Sequence, residues 1–196
     1  NGSLEDRFGY SVAIDGDTAV ITAIGSDFGG TDSGAVYVFV RNGSVWTQQA
    51  EIVTNDLFED EFFGESVSID GDTIVVGAAG DDVGAAVDQG SAYVFFRVGA
   101  SWTQQARLRG SDSAAFDQFG DAVVIDGNTV VVGAWRDDDP NIAGQGSAYV
   151  FTRQGTVWTE YQKIVAPDAG VGDGFGYSVA LDAERILLER HASGLG

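Results

Sequence analysis

Residues 63–108 of the 196-residue chain read FGESVSIDGDTIVVGAAGDDVGAAVDQGSAYVFFRVGASWTQQARL. Similar sequences begin at Phe8, with FGYSVAIDGDTAVITA, and at Phe119, with FGDAVVIDGNTVVVGA. A fourth copy begins at Phe175, reads FGYSVALDAERILLER and lacks the second half of the repeat. The Phe-Gly pairs are therefore 55, 56 and 56 residues apart. A fixed period of this kind is typical of solenoids, propellers and other repeat arrays.

Each repeat is predicted to contain four short β-strands. In the second copy these strands are residues 66–69, 73–78, 90–97 and 102–108. The Asp70-Gly71 pair between the first two strands is a strong hairpin signal, because a two-residue turn of this type needs positive φ at both central residues. The connections between repeats contain few β-formers and show no helical period. We therefore expect almost no helix.

Two strands of the repeat differ in a way that predicts how the sheets pack. Residues 73–79 are nearly all apolar, which is typical of a strand covered on both faces. Residues 102–108 alternate between polar and apolar, which is typical of a half-exposed outer strand. Four-stranded sheets stacked around a shared axis explain both patterns.

The predicted fold is therefore an all-β array of propeller blades, each with four antiparallel strands. The chain contains about 3.5 repeats of about 56 residues. The whole chain is expected to be one repeat array, with blades at about residues 8–53, 63–109 and 119–165 and a partial fourth blade at about 175–190.

The repeated residues resemble a known family. The Phe-Gly pairs, the Gly-Ala pairs at Gly77 and Gly133, and the recurring hairpin are similar to FG-GAP repeats, in a variant found in bacterial secreted and surface proteins. Such repeats build the propeller of integrin alpha subunits, so the resemblance implies a propeller and an extracellular role in adhesion. Several integrin repeats hold calcium between the first two strands. Here that place has only a tight turn, Asp70-Gly71-Asp72, and we do not extend calcium binding to it.

The number of repeats leaves the assembly open. Three blades and half of another are fewer than the about 4–8 blades that close a ring. The chain is either a piece of a longer propeller or one of several chains that complete a ring or a fibre, or residues 189–196 form a degenerate cap. Exposed strand edges at both ends favour further chain or self-association through those edges.

Composition restricts the partners. The chain has 30 acidic and 10 basic residues and a net charge of −20, so its surface repels nucleic acid. It has no cysteine, which excludes disulfides, zinc-thiolate sites and a cysteine nucleophile. It has no apolar run long enough for a membrane helix, so we expect no membrane insertion.

Acids in the loops after the second strand of each repeat are candidate calcium ligands. These loops are residues 25–33, 79–89 and 135–145, and their carboxylates could bind calcium together with backbone carbonyls. Solvated turn acids are the simpler interpretation of the same pattern. The candidates are Asp27, Asp32, Asp81, Asp82, Asp88, Asp137, Asp138 and Asp139.

Two further sets of residues recur and are predicted to be structural. An acid stands two residues before each Phe-Gly pair and is expected to accept backbone N–H bonds in the turn that enters the blade. These acids are Asp6, Glu61, Asp117 and Asp173. Recurring aromatic residues are expected to pack between blades or beside the hairpin turn. They are Tyr37, Tyr93, Tyr149, Phe39, Phe95, Phe151, Trp46, Trp102 and Trp158.

Nothing in the sequence indicates catalysis. His191 is the only histidine, and there is no nucleophile motif, phosphate loop or zinc spacing. A catalytic acid pair should break the repeat, whereas these acids follow it. We expect a non-catalytic extracellular interaction or adhesion module, with a protein or glycan ligand on the face formed by the variable loops. The alternatives are a self-assembling fibre or surface-layer subunit and the propeller part of a secreted carbohydrate-active enzyme.

Overall fold

The structure, a computed structural model, describes residues 6–28, 30–54, 60–138, 142–183 and 185–191. These residues form four antiparallel sheets and no helix. Three sheets have four strands and the last has two, and every sheet is hydrogen-bonded in sequence order. The prediction of an all-β fold with about three and a half blades is confirmed.

The strands repeat from blade to blade. Blade 1 consists of β1 (Phe8–Asp15), β2 (Thr18–Ala23), β3 (Ala35–Asn42) and β4 (Val45–Ile52). Blade 2 consists of β5 (Val67–Asp70), β6 (Thr73–Ala78), β7 (Ser91–Val98) and β8 (Ser101–Leu108). Blade 3 consists of β9 (Ala122–Asp126), β10 (Thr129–Ala134), β11 (Ser147–Gln154) and β12 (Val157–Ile164). The half-blade consists of β13 (Phe175–Asp182) and β14 (Arg185–Arg190).

A two-residue turn joins the first two strands of each four-stranded blade. Asp70 pairs with Thr73, which leaves Gly71 and Asp72 at the centre of the turn. Gly71 has a φ of 54°, whereas Asp72 is outside the positive region. The prediction that both central residues take positive φ is therefore wrong. The central pair is Gly-Asp, and glycine alone supplies the backbone conformation that other residues avoid.

The blades bury their faces against one another. Val20 and Val38 of blade 1 pack in one cluster with Ile74 and Tyr93 of blade 2. A second cluster joins the other face of blade 2 to blade 3, and a third joins blade 3 to the half-blade. All six residues of β6 are buried, as expected for a covered strand. A single four-stranded sheet would leave both faces in water, so each blade depends on its neighbours.

The Phe-Gly pairs lie at these blade junctions. Phe63 is fully buried, and its ring centroid is 5.4 Å from that of Tyr93 in an edge-to-face arrangement. Phe119 repeats the contact with Tyr149 at 5.3 Å. The prediction that the recurring tyrosine and phenylalanine residues of the third strand pack between blades is confirmed for blades 2 and 3, where Tyr93, Phe95, Tyr149 and Phe151 are buried. In blade 1 the residue equivalent to Phe63 is Phe8, which is 55% exposed, because no sheet of the described residues covers that face.

The two ends of the array differ. The open face of blade 1 exposes Phe8, Val12 and Ile14, which are residues of the type that the other junctions bury. On the half-blade, Glu189 stands where blade 2 has Gly77, blade 3 has Gly133 and blade 1 has Thr22. A Cβ atom at Gly77 would lie 1.8 Å from the Gly120 carbonyl oxygen of the next blade. A neighbouring backbone could therefore not approach Glu189 as closely as Gly120 approaches Gly77.

Candidate functional site

The variable loops are attached to the following blade by backbone hydrogen bonds. The amide of Phe63 donates to the Ser33 carbonyl at 3.1 Å. Phe119 donates to Gln89 at 3.0 Å and Phe175 donates to Gln145 at 2.9 Å, so the bond recurs at every junction. These bonds place the loops and the Phe-Gly pairs on the same side of the blades. We call this side the loop face. It consists of the described parts of residues 25–33, 79–89 and 135–145 and of the residue that follows each Phe-Gly pair.

One set of loop acids fixes the shape of the loops. Asp27 Oδ1 accepts the Asp32 amide at 3.0 Å, and Asp82 Oδ1 accepts the Asp88 amide at 2.9 Å. Asp138 Oδ1 accepts the Gly144 amide in the third loop. Asp32 and Asp88 have φ values of 52° and 49°, a region that aspartate tolerates better than most residues. The recurrence of these acids is therefore explained by loop geometry.

Asp81 and Asp137 form buried ion pairs. Asp81 is fully buried, accepts the Tyr93 hydroxyl at 3.1 Å and pairs with the Arg107 guanidinium. Asp137 is also buried, and its Oδ2 lies 2.6 Å from Lys163 Nζ. A buried carboxylate needs a compensating charge, and here the fourth strand of the same blade supplies it.

These contacts bear on the calcium prediction. Among the described residues, no three histidine or acidic side chains lie close enough together to hold a metal ion. Asp139 lies outside the described residues. The hairpin acids, to which calcium binding was not extended, have other partners: Asp15 Oδ2 accepts the Gly71 amide and Asp17 pairs with Arg41. Calcium binding by the loops stays a prediction.

Thermal melting tests calcium binding directly. If the loops bind calcium, millimolar calcium should raise Tm and a chelator should lower it, since a ligand that binds only the folded state stabilises that state. Replacement of Asp82 by asparagine should reduce the effect. An unchanged Tm in both calcium and chelator would exclude calcium.

The acids before the Phe-Gly pairs perform the predicted structural role in two copies. Asp117 Oδ2 accepts the Ala114 amide at 2.6 Å, and Asp173 Oδ2 accepts the Gly170 amide at 2.8 Å. Burial raises the pKa of Asp117 to about 6. Glu61 is almost completely buried at the equivalent position. In blade 3 the turn that enters the blade is thus held by the buried Asp117 carboxyl, and in the half-blade by the partly exposed Asp173.

A cluster of residues that sequence reasoning missed lies where the first strands of successive blades meet. The position after each Phe-Gly pair is occupied by Tyr10, Glu65, Asp121 and Tyr177, which we call the inner cluster. The Tyr10 hydroxyl interacts electrostatically with Glu65, Asp121 and Tyr177. β1, β5, β9 and β13 contact one another in succession, so these residues converge although they are far apart in sequence.

The inner cluster contains two carboxyl groups that hold their protons unusually strongly. Burial, and to a smaller extent the nearby Asp121 carboxylate, together raise the pKa of Glu65 to about 7. Burial also raises the pKa of Asp121 to about 6. Groups of this kind are concentrated at functional sites, where a shifted pKa changes what a group can bind or transfer.

Aromatic rings surround one side of the inner cluster. Trp135 and Tyr177 have ring centroids 5.9 Å apart at 89°, and His191 lies 5.0 Å from Tyr177. The guanidinium carbon of Arg136 lies 4.5 Å from the Trp135 ring centroid. Tyr10 and Tyr177 are 52% and 46% exposed, so aromatic surface is available next to the acids.

The raised pKa of Glu65 predicts a pH dependence of stability. The folded-state pKa of about 7 exceeds the unfolded value near 4.5, so the contribution of Glu65 is fully present below about 4.5 and is lost as the pH rises to about 7. Over that interval the free energy of unfolding should fall by about 2 kcal/mol on account of Glu65. Glu65→Gln should remove this part of the slope, measured by urea unfolding at several pH values. An unchanged slope in the variant would contradict the burial of this carboxyl.

A signal for the inner cluster exists in the sequence. The residue after Phe-Gly is tyrosine, glutamate, aspartate and tyrosine in the four copies, while its neighbours repeat. A functional residue is expected to break a repeat, and Glu65 and Asp121 do so. The acids chosen as candidates from the sequence follow the repeat, and most of them hold the loops.

Comparison with known proteins agrees with the architecture. The family model described as FG-GAP repeat matches residues 1–39, 46–95, 102–151 and 158–188. A search of the curated proteins gives no match. In the described part of the chain, no helix has the length and apolar character needed to cross a membrane. The four matches recur in register with the blades and cover most of the sequence, so the chain belongs to the FG-GAP repeat family.

Proposed function

We propose that the chain is a non-catalytic extracellular interaction module that binds a protein or glycan ligand at the loop face. The observation that carries this proposal is the inner cluster. It brings exposed rings of Tyr10 and Tyr177 next to the carboxyl groups of Glu65 and Asp121. A binding site typically combines apolar and aromatic surface with a few polar groups that fix orientation.

The construction of the loop face supports this proposal. A rigid repeated scaffold holds loops of different sequence, which is the usual arrangement for a binding surface. The loop acids Asp27, Asp82 and Asp138 and the junction bonds fix the loops in place, so a ligand would meet a preorganised surface. The net charge of −20 favours ligands that are neutral or basic.

The open face of blade 1 supports self-association as part of the same function. Phe8, Val12 and Ile14 form an exposed apolar strip, and such strips commonly mark protein contacts. A joint at this face would leave the loop face accessible, so the module could bind a ligand and assemble. A fibre or surface-layer subunit would use the same joint without a ligand.

Affinity electrophoresis tests the glycan form of the proposal. The chain is run through gels that contain soluble xylan, β-glucan or galactomannan, alongside a Tyr177→Ala variant. Retardation of the parent and its loss in the variant are expected. Tyr161→Ala is the matched control, because Tyr161 is an exposed tyrosine of β12 outside the inner cluster. Equal retardation of Tyr177→Ala and the parent would contradict the site. Free migration of the parent in every gel would exclude these glycans as ligands and would leave the protein-binding form of the proposal.

The propeller of a carbohydrate-active enzyme is the second candidate, and Glu65 and Asp121 are the residues that favour it. Glycosidases use two carboxyl groups, one of them with a raised pKa. Incubation of the parent with the same polysaccharides should release no reducing sugar if the module is non-catalytic. Release that Glu65→Gln abolishes would instead establish the enzyme.

A further inference from the structure

Blades 2 and 3 each hold a basic side chain at one equivalent place. In blade 2 the Arg107 guanidinium carbon lies 5.2 Å from the Tyr93 ring centroid, and the guanidinium pairs with Asp81. In blade 3 Lys163 Nζ lies 5.1 Å from the Tyr149 ring centroid and 2.6 Å from Asp137. A tyrosine ring and a carboxylate together form a site for a cation in both blades.

Blade 1 keeps the tyrosine and a carboxylate, but none of its described residues places a cation at the position of Arg107 and Lys163. Its equivalent residues are Ser26 on the loop, Tyr37 on β3 and Glu51 on β4. Glu51 therefore occupies the position of Arg107 and Lys163, and Ser26 occupies the position of Asp81 and Asp137. Both Ser26 and Glu51 interact with the Tyr37 hydroxyl. In blade 1 the carboxylate is therefore on the fourth strand instead of the loop, and it occupies the position that a basic residue has in the other two blades.

An open cleft of about 470 Å³ results. The described residues that line it contribute three carboxyl groups and two aromatic rings, and none of them is basic. The lining residues are Asp6, Ser26, Asp27, Phe28, Tyr37, Gln48 and Glu51. The two other blades show which chemical group such surroundings hold, since each holds a cation against its tyrosine. The cleft is large enough to admit a guanidinium or an ammonium group with its aliphatic stem.

Exposed apolar surface adjoins the cleft. Phe28 is an exposed member of its lining, and the Phe8 ring centroid is 5.4 Å from that of Tyr37. Phe8 continues into Val12 and Ile14 along β1. An acidic cleft beside an apolar strip is complementary to a polypeptide with a basic side chain next to apolar ones.

We propose that the cleft of blade 1 binds an arginine or lysine side chain of a partner protein, which takes the place that Arg107 and Lys163 occupy in the other blades. The apolar neighbours of that side chain pack on Phe8 and Phe28. This inference extends the protein-binding form of the proposed function to a second surface, distinct from the inner cluster.

NMR titration of the ¹⁵N-labelled chain tests the proposal. The probe is a capped tripeptide with arginine between two leucines, and the matched probe has glutamine in place of arginine. The arginine peptide is expected to shift the amide signals of Ser26, Asp27, Tyr37 and Glu51, and the glutamine peptide is expected to leave them unchanged. Glu51→Gln should weaken binding about tenfold, because a hydrogen bond between charged groups is lost.

A second variant rebuilds the internal pair. Ser26→Asp combined with Glu51→Arg copies blade 2 and should abolish binding of the arginine peptide, whereas Asp182→Asn, which removes a distant charge, should not. Equal shifts with both peptides, shifts absent from the cleft, or binding unaffected by both Glu51 variants would overturn the proposal. Tyr177→Ala, the variant that tests the loop face, leaves the cleft intact, so failure of either proposal is recognised separately.

Discussion

Replacing Gly77 by alanine is expected to destabilise the protein by about 3 kcal/mol, the upper end of the usual cost of overpacking. The new Cβ would lie 1.8 Å from the Gly120 carbonyl oxygen and 2.4 Å from Ser66 Oγ. The Gly120 carbonyl also accepts the Ser66 hydroxyl at 2.7 Å, so it cannot move without losing a hydrogen bond. Because the obstacle is backbone of the next blade, relief requires separation of blades 2 and 3.

Urea unfolding followed by tryptophan fluorescence measures this effect. Gly99→Ala is the control, since Gly99 has a φ of 66° but no atom within 4 Å of an added Cβ. That variant should cost only the about 1 kcal/mol of an unfavourable backbone conformation. Gly133→Ala should behave like Gly77→Ala, because its Cβ would lie 2.0 Å from the Gly176 carbonyl oxygen. Equal effects at Gly77 and Gly99 would show that the junction is not tightly packed.

Loss of the Arg107 guanidinium is the second large effect. Arg107→Met should destabilise the protein by about 3–5 kcal/mol, because the variant leaves the fully buried Asp81 carboxylate without its counter-charge. The double variant Asp81→Asn/Arg107→Met should recover much of this stability, since the remaining amide is neutral and can still accept the Tyr93 hydroxyl.

The exposed pair of Arg41 and Asp17 provides the control for this prediction. Both side chains are largely in water, so Arg41→Met should change the free energy of unfolding by less than about 1 kcal/mol. A double variant as unstable as Arg107→Met alone would mean that Arg107 acts through packing and not through its charge.

The sequence was sufficient to predict the blades because the repeat contains the pattern several times. β6 is buried throughout, whereas every residue of β8 except Leu108 is exposed or half-buried, as expected for an inner and an outer strand. Each pattern depends only on the side-chain period of a strand and on which faces neighbouring blades cover. The turn was less predictable, since the central residues Gly71 and Asp72 differ from the expected Asp-Gly pair by one position.

Contacts between distant residues were not predictable from one sequence. Asp81 looked like a solvent-exposed loop acid, yet a cation 26 residues later neutralises it inside the protein. Glu65 and Asp121 converge only because two first strands pack side by side. Local sequence patterns do not show which residues from different repeats lie close together in the fold. In blade 1, Ser26 and Glu51 can be interpreted only by comparison with the ion pairs at the same positions of the other two blades.

Amide hydrogen exchange at the blade junctions tests the central claim most directly, namely that the blades are stable only against one another. Phe63, Phe119 and Phe175 each donate their amide to the preceding blade, whereas Val75 is bonded within its own sheet. If the blades fold as one unit, the three junction amides should be protected as strongly as Val75, because all require global unfolding to exchange. Rapid exchange of the junction amides while Val75 stays protected would show blades that are stable alone, and would contradict this account.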